Sequence, residues 1–283
     1  MRYSELEPQV RSSIEAAKRL LKPKIVDGTL LISSHSAISA AKSLYISMLS
    51  SGFDVTLAGP TEASTLIMPY RDVNEVLVFS LGPKDSRAVR AAEEAALMGI
   101  TTYFIAPQLD DVLEAMLSRH EEISRILLPS QAPLLTMIVA SALWSSEMKG
   151  PRGDRLKAEV ADVDSSFSWI SEKYGQQAEE ASKFQKFATV YGPIMEPSAR
   201  YLCSVAAERC EAMLLLDEAT SFSRITGPVV EIVSSVEEHD YKDVELSMKL
   251  ANLKIVKLLF NVDPVTANLY ASIAAALIGG KVI

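Results

Sequence analysis

A chain of 283 residues, 48% of them hydrophobic, is long enough for one large or two modest domains, each with its own core, and two is the reading adopted. A formal charge of -8, with acidic and basic residues interspersed, leaves no basic face for nucleic acid and points to small metabolites as partners. No apolar run approaches the roughly 20 residues of a bilayer span, and Met1-Arg2-Tyr3-Ser4 opens a polar helix rather than a secretion signal, so a cytoplasmic protein without membrane contact is expected.

In chain order, Ser4 to Leu21 reads as an amphipathic helix with Leu6, Val10, Ile14, Ala17 and Leu21 on its apolar side, ended by Pro23. Thr29 to Ile32 is a short apolar strand that gives way to Ser33-Ser34-His35-Ser36 before a helix from Ala37 to Met48. Val55 to Ala58 is the next strand, followed by the loop Gly59-Pro60-Thr61-Glu62. Val76 to Phe79 then runs into the polar, turn-forming segment Ser80 to Ser86 and a helix whose apolar positions include Ala88, Val89, Ala92, Ala95 and Ala96. Asp85 or Ser86 caps that helix, Gly99 ends it, and Ile100 to Ala106 is a strand. A strand, polar loop, helix and strand in such close succession imply a right-handed crossover between parallel strands. The loop at the carboxyl end of the first strand is therefore a candidate phosphate cradle, because the N–H groups opening a helix favour anions. A helix from Asp110 to Ser118, a strand from Ile123 to Leu128 and a helix from Pro133 to Ser146 complete five alternating units.

Gly150 to Arg155 gathers glycine, proline and charge, and is taken as the linker. Beyond it, a long helical stretch (Leu156 to Lys183) precedes a strand (Phe187 to Tyr191), a long helix (Glu196 to Leu216), strands at Val229 to Val233 and Ile255 to Phe260, and a terminal helix from Pro264 to Ile278. This shortened repeat of the first half suggests internal duplication with one unit lost. Cys203 and Cys210, seven apart on one predicted helix, are expected to be buried free thiols. Glu237-Glu238-His239-Asp240 reads as a solvated loop, and Trp144 and Trp169 as packing residues between domains or subunits. His35, His120 and His239 show no metal-ligand spacing and no Rossmann or Walker glycine pattern occurs, so neither metal nor cofactor is expected.

The loops at Ser33 to Ser36, Gly59 to Glu62 and Ser80 to Ser86 together resemble the sugar isomerase (SIS) domain family in its two-domain form, as in the isomerase half of glucosamine-6-phosphate synthase. The resemblance implies an α/β fold of two doubly wound, mainly parallel-sheet SIS-like domains in three αβα layers, joined by a linker and a long helix. The divisions are residues 1–148, a linker at 149–157, and a shortened second domain at 158–283. It also implies substrate-binding roles. Ser36, with Ser34 and His35 beside it, matches the phosphate-contacting serine, and Glu62 matches the glutamate of an Ala-Ser-Glu-Phe segment. Gly82 matches the glycine of a Ser-x-Ser-Gly-x-Thr loop in which Phe79, Leu81 and Lys84 replace the two serines and the threonine, while Ser80, Lys84 and Ser86 remain as donors. Lys84 either contacts phosphate or is solvated, and His35 either meets the sugar or serves as a surface or capping residue.

A family helix of the pattern Glu-Gly-Ala-Leu-Lys-Leu-Lys-Glu ends in the catalytic base, and laid over Glu211 to Glu218 it makes Glu218 that base. The family's histidine after this helix and its lysine-bearing tail have no counterpart here, and no cysteine precedes Cys203 to serve as a glutaminase nucleophile. The resemblance thus implies a small phosphorylated sugar as ligand and a homodimer, with Ala37 to Met48 and Pro133 to Trp144 as candidate contact faces. It leaves two readings open: an aldose–ketose sugar-phosphate isomerase, or a non-catalytic sugar-phosphate sensor or structural relative.

Overall fold

The computed structural model describes residues 3–148, 151–216, 225 and 227–283. The chain divides into two compact units, one spanning Ser13–Lys157 and the other Ala158–Ile283 with the N-terminal residues up to Ser12. Helix α1 (Tyr3–Arg19) contributes to both. Its Leu6, Val10, Ile14 and Ala17 are buried at the expected helical spacing, but Leu21 lies beyond the helix end and is exposed.

The first unit holds a parallel sheet of β1 (Thr29–Ser33), β2 (Val55–Ala58), β3 (Glu75–Phe79), β4 (Thr101–Ala106) and β5 (Ile123–Leu127), in the order β2-β1-β3-β4-β5. Between them run α2 (Ile38–Ser50), α3 (Pro60–Glu62), α4 (Ser86–Leu97) and α5 (Asp111–Leu117), with α6 (Pro133–Ser145) following β5. β1 and β3 are buried along their whole length, which is why their central residues read as continuous apolar runs rather than alternating ones, with Thr29, Ser33 and Glu75 as buried polar ends. Leu30, Ile32, Val76, Val78 and Phe104 join Ala88, Ala92 and Ala95 of α4 in one core, while α2 packs against α6. The small α4 residues let the helix approach the sheet closely.

In the second unit β6 (Phe187–Tyr191), β7 (Cys210–Leu215), β8 (Val229–Ser234) and β9 (Ile255–Phe260) form a parallel sheet in the order β7-β6-β8-β9. Its helices are α8 (Ser166–Ser182), α9 (Glu196–Val205), α10 (Tyr241–Leu250) and α11 (Pro264–Gly279), while α7 (Pro151–Val160) runs across the division between the units at Lys157. Strand order reverses between β1 and β3 in one sheet and between β6 and β8 in the other. Those reversals open a crevice at the carboxyl ends of the two strands, where loops diverge to opposite faces.

Several expectations need correction. The segment expected as a linker is helical from Pro151 onward, and the stretch expected as one helix over Leu156 to Lys183 is broken between α7 and α8. The helix expected from Glu196 to Leu216 stops at Val205, and Cys210–Leu215 pairs with β6 as a fourth, half-exposed strand. The turn between them brings the Cα atoms of Cys203 and Cys210 to 5.2 Å, and the two are joined in a disulfide rather than free.

Candidate functional site

The crevice of the first unit lies where β1 and β3 end side by side. Main-chain bonds fix both ends: Ser34 N–H donates to the Phe79 carbonyl at 3.1 Å and Ser80 N–H to the Ile105 carbonyl at 3.0 Å. The hydroxyls of Ser34 and Ser80, both buried, converge on one acceptor, Asp85 Oδ2, at 2.8 Å in the case of Ser80. Asp85 Oδ1 accepts the Ala88 N–H at 3.3 Å and so caps α4. A buried carboxylate here is stabilised by the helix N-terminus and by two hydroxyl donors.

Around this centre, Gly82 closes the turn by accepting the Asp85 N–H at 3.3 Å. Lys84 and Ser86 flank Asp85 and are exposed, while His35 and Ser36 follow Ser34 at the rim. His35 adopts a left-handed backbone (φ 49°), uncommon for a residue with a side chain and a recurrent feature of functional loops. Glu62 is exposed on α3, in the loop after the neighbouring strand β2. The fold therefore draws Ser34 and Ser80 together through Asp85, with Ser36, Lys84 and Ser86 available at the surface. Asp85 as the organiser was visible in the sequence only as a helix cap. Glu218 lies outside the described residues.

The second crevice, between β6 and β8, is built on the same plan. Glu237 is buried rather than solvated as the sequence suggests, and its Oε1 accepts the Ile194 N–H at 2.8 Å. Its carboxylate lies so close to Gly192 that any side chain there would overlap it. Burial pushes the Glu237 carboxyl up to about 7, against the opposing Ile194 hydrogen bond. Glu231, in the middle of β8, is fully buried with neither carboxyl oxygen hydrogen-bonded. Burial and the neighbouring Glu245 raise it to about 8, opposed by Lys257 and Lys249. Two apolar residues on either side, in Val-Val-Glu-Ile-Val, hid this residue inside an expected strand.

Because Glu211 to Leu215 is strand, the family's helical pattern does not lie over it. The helix that follows β6 is α9, and laid there from Glu196 the pattern runs Glu-Pro-Ser-Ala-Arg-Tyr-Leu-Cys. Its final place falls on Cys203, which is disulfide-bonded. Among the described residues no cluster of His, Cys, Asp and Glu is arranged to hold a metal ion, and no helix is long and apolar enough to cross a membrane.

No protein-family model and no curated protein matches the chain. Solved structures do. The C-terminal domain of glucosamine-fructose-6-phosphate aminotransferase from Francisella tularensis superposes with a TM-score of 0.67 at 12% identity, over 98% of this chain and 93% of that one. Tagatose-6-phosphate ketose/aldose isomerase from Escherichia coli gives 0.63 at 14% identity, over 98% and 87%. Glucosamine-6-phosphate deaminase from Thermotoga maritima gives 0.63 at 13%, over 98% and 91%. At such identities the likeness is one of fold: the chain has the parallel-sheet α/β architecture of SIS-type phosphosugar isomerases.

Proposed function

We propose that this chain is a tandem SIS-fold protein that binds a phosphorylated sugar at the β1/β3 crevice of its first unit without isomerising it. The observation that carries the reading is the Ser34–Asp85–Ser80 arrangement at the reversal of strand order, where open α/β sheets take ligands. Ser34 and Ser80 spend their hydroxyl protons on Asp85, so they order the loops rather than donate to a phosphate. Donors for the phosphate come from the rim: the Ser36 and Ser86 hydroxyls, the Lys84 ammonium and main-chain N–H groups of the diverging loops. The non-catalytic half of the reading is supported by Cys203 at the place on α9 where the family pattern has its base, since a disulfide sulfur takes no proton from carbon.

Titration calorimetry with fructose 6-phosphate and glucosamine 6-phosphate tests binding. At least one should bind, Lys84→Ala and Ser36→Ala should each weaken it about three- to tenfold, and the unphosphorylated sugar should bind far less well. Incubation of the same ligands in deuterated water tests catalysis. No exchange of the C2 proton is expected; exchange that disappears in Glu218→Gln would restore the isomerase reading.

A further inference from the structure

A second concavity lies at the opposite end of the first unit's sheet, beside the amino ends of its strands. A cavity of about 580 Å³ is bounded by Lys22, Lys24, Phe53, Tyr103, Trp144 and Glu147, with Pro23, Ile25 and Met148 completing an apolar wall. Tyr103 stands on β4 and Trp144 on α6, so sheet and helix supply two aromatic walls and the residue after the α2 turn supplies the third. The Tyr103 hydroxyl accepts the Lys24 N–H at 3.3 Å, which fixes the segment leading into β1 against the sheet. At the mouth Lys22 pairs with Glu147.

A second observation comes from β3. Glu75 is 2% exposed, one of its oxygens has no hydrogen-bond partner, and Lys24 lies within electrostatic reach of it. It pairs in register with Thr101, as Leu77 does with Tyr103, so alternation puts Glu75 on the same sheet face as Tyr103. Glu75 is not among the residues that bound the cavity, and with Lys22 paired to Glu147 the charge a ligand would meet first is the Lys24 ammonium.

We infer that this cavity is a ligand site separate from the β1/β3 crevice and that it takes a planar aromatic anion. The ring would lie against Phe53 and Tyr103 with the nearly buried Trp144 at its edge, and its negative group would meet Lys24 at the mouth. Such binding sites combine apolar enclosure with a few fixed charges, and ring stacking is sequence- and substituent-tolerant. Two sources share this chemistry, a nucleoside monophosphate and an aromatic carboxylate.

Trp144 is the reporter. In a Trp169→Phe variant, shown by circular dichroism to be folded, its fluorescence is titrated with adenosine 5′-monophosphate, indole-3-carboxylate, ribose 5-phosphate and inorganic phosphate. Saturable quenching is expected with at least one of the two aromatic anions, and which of them acts identifies the source. Lys24→Gln should weaken that binding about tenfold and Ser36→Ala should leave it unchanged. The inference fails if neither aromatic anion gives a saturable change, if ribose 5-phosphate or phosphate competes equally well, or if Lys24→Gln binds as tightly as the parent.

Discussion

At the scale of single residues, Asp85 does more than cap a helix. It accepts from Ser34, Ser80 and the Ala88 N–H, so it ties the ends of two strands to the start of α4. Asp85→Ala removes the cap and leaves two buried hydroxyls without an acceptor. The expected cost is about 2–4 kcal/mol of stability, read as a lower urea midpoint with an unchanged slope. Asp85→Asn keeps a side-chain carbonyl for the same donors and should recover at least half of that loss. It also removes a negative charge from the crevice, and sugar-phosphate affinity should rise several-fold if the ligand sits at this rim. Equal destabilisation by both substitutions would mean the carboxylate charge, and not the hydrogen-bond geometry, holds the loops.

At the scale of elements, the disulfide and β7 are linked. The α9 helix ends without glycine or proline, in Ala206-Ala207-Glu208-Arg209, and the turn is held by Arg209 reaching the carbonyls of Ser182 at 2.9 Å and Ile278 at 2.6 Å. Those partners are distant in sequence, so nothing local announced the helix end. A half-exposed strand of Cys-Glu-Ala-Met-Leu-Leu also carries good helix formers. The elements of the first unit were legible for the opposite reason: buried apolar strands, polar loops and a small-residue helix agree locally with the global fold. The serine loops were legible too, whereas the acid that organises them was not, because a helix cap looks the same whether or not distant hydroxyls converge on it. Closing a loop with a sequence separation of seven constrains the unfolded chain by about 2 kcal/mol. A Cys203→Ala/Cys210→Ala variant should lose about that much stability, and the parent should lose a similar amount in reductant while the double variant does not respond. A parent indifferent to reductant would argue that the bridge contributes nothing to the fold.

At the scale of the whole molecule, three buried acids set the response to pH. Burial raises Glu75 to about 7, Glu237 to about 7 and Glu231 to about 8, each from an ordinary value of 4.5. The folded protein therefore holds protons that the unfolded chain releases above pH 4.5. The sign follows directly: this contribution to stability is fully present below the unfolded value and is lost as pH rises through the folded values. Stability should accordingly decline between about pH 5 and 8, most steeply near pH 5.5 to 6.5, where the unfolded chain has released protons that all three folded acids still hold, and the decline should level off as Glu75, Glu237 and finally Glu231 ionise in the folded state. Glu231→Gln keeps a neutral side chain of the same shape and cannot ionise. It should flatten the decline and be more stable than the parent at pH 8, though not at pH 5. Urea unfolding at one-unit intervals from pH 5 to 8 measures both curves, with two transitions expected if the units unfold separately. A parent that gains stability with rising pH, or a Glu231→Gln curve parallel to it, would show that the charge network of Lys257, Glu245 and Lys249 compensates the buried acid completely.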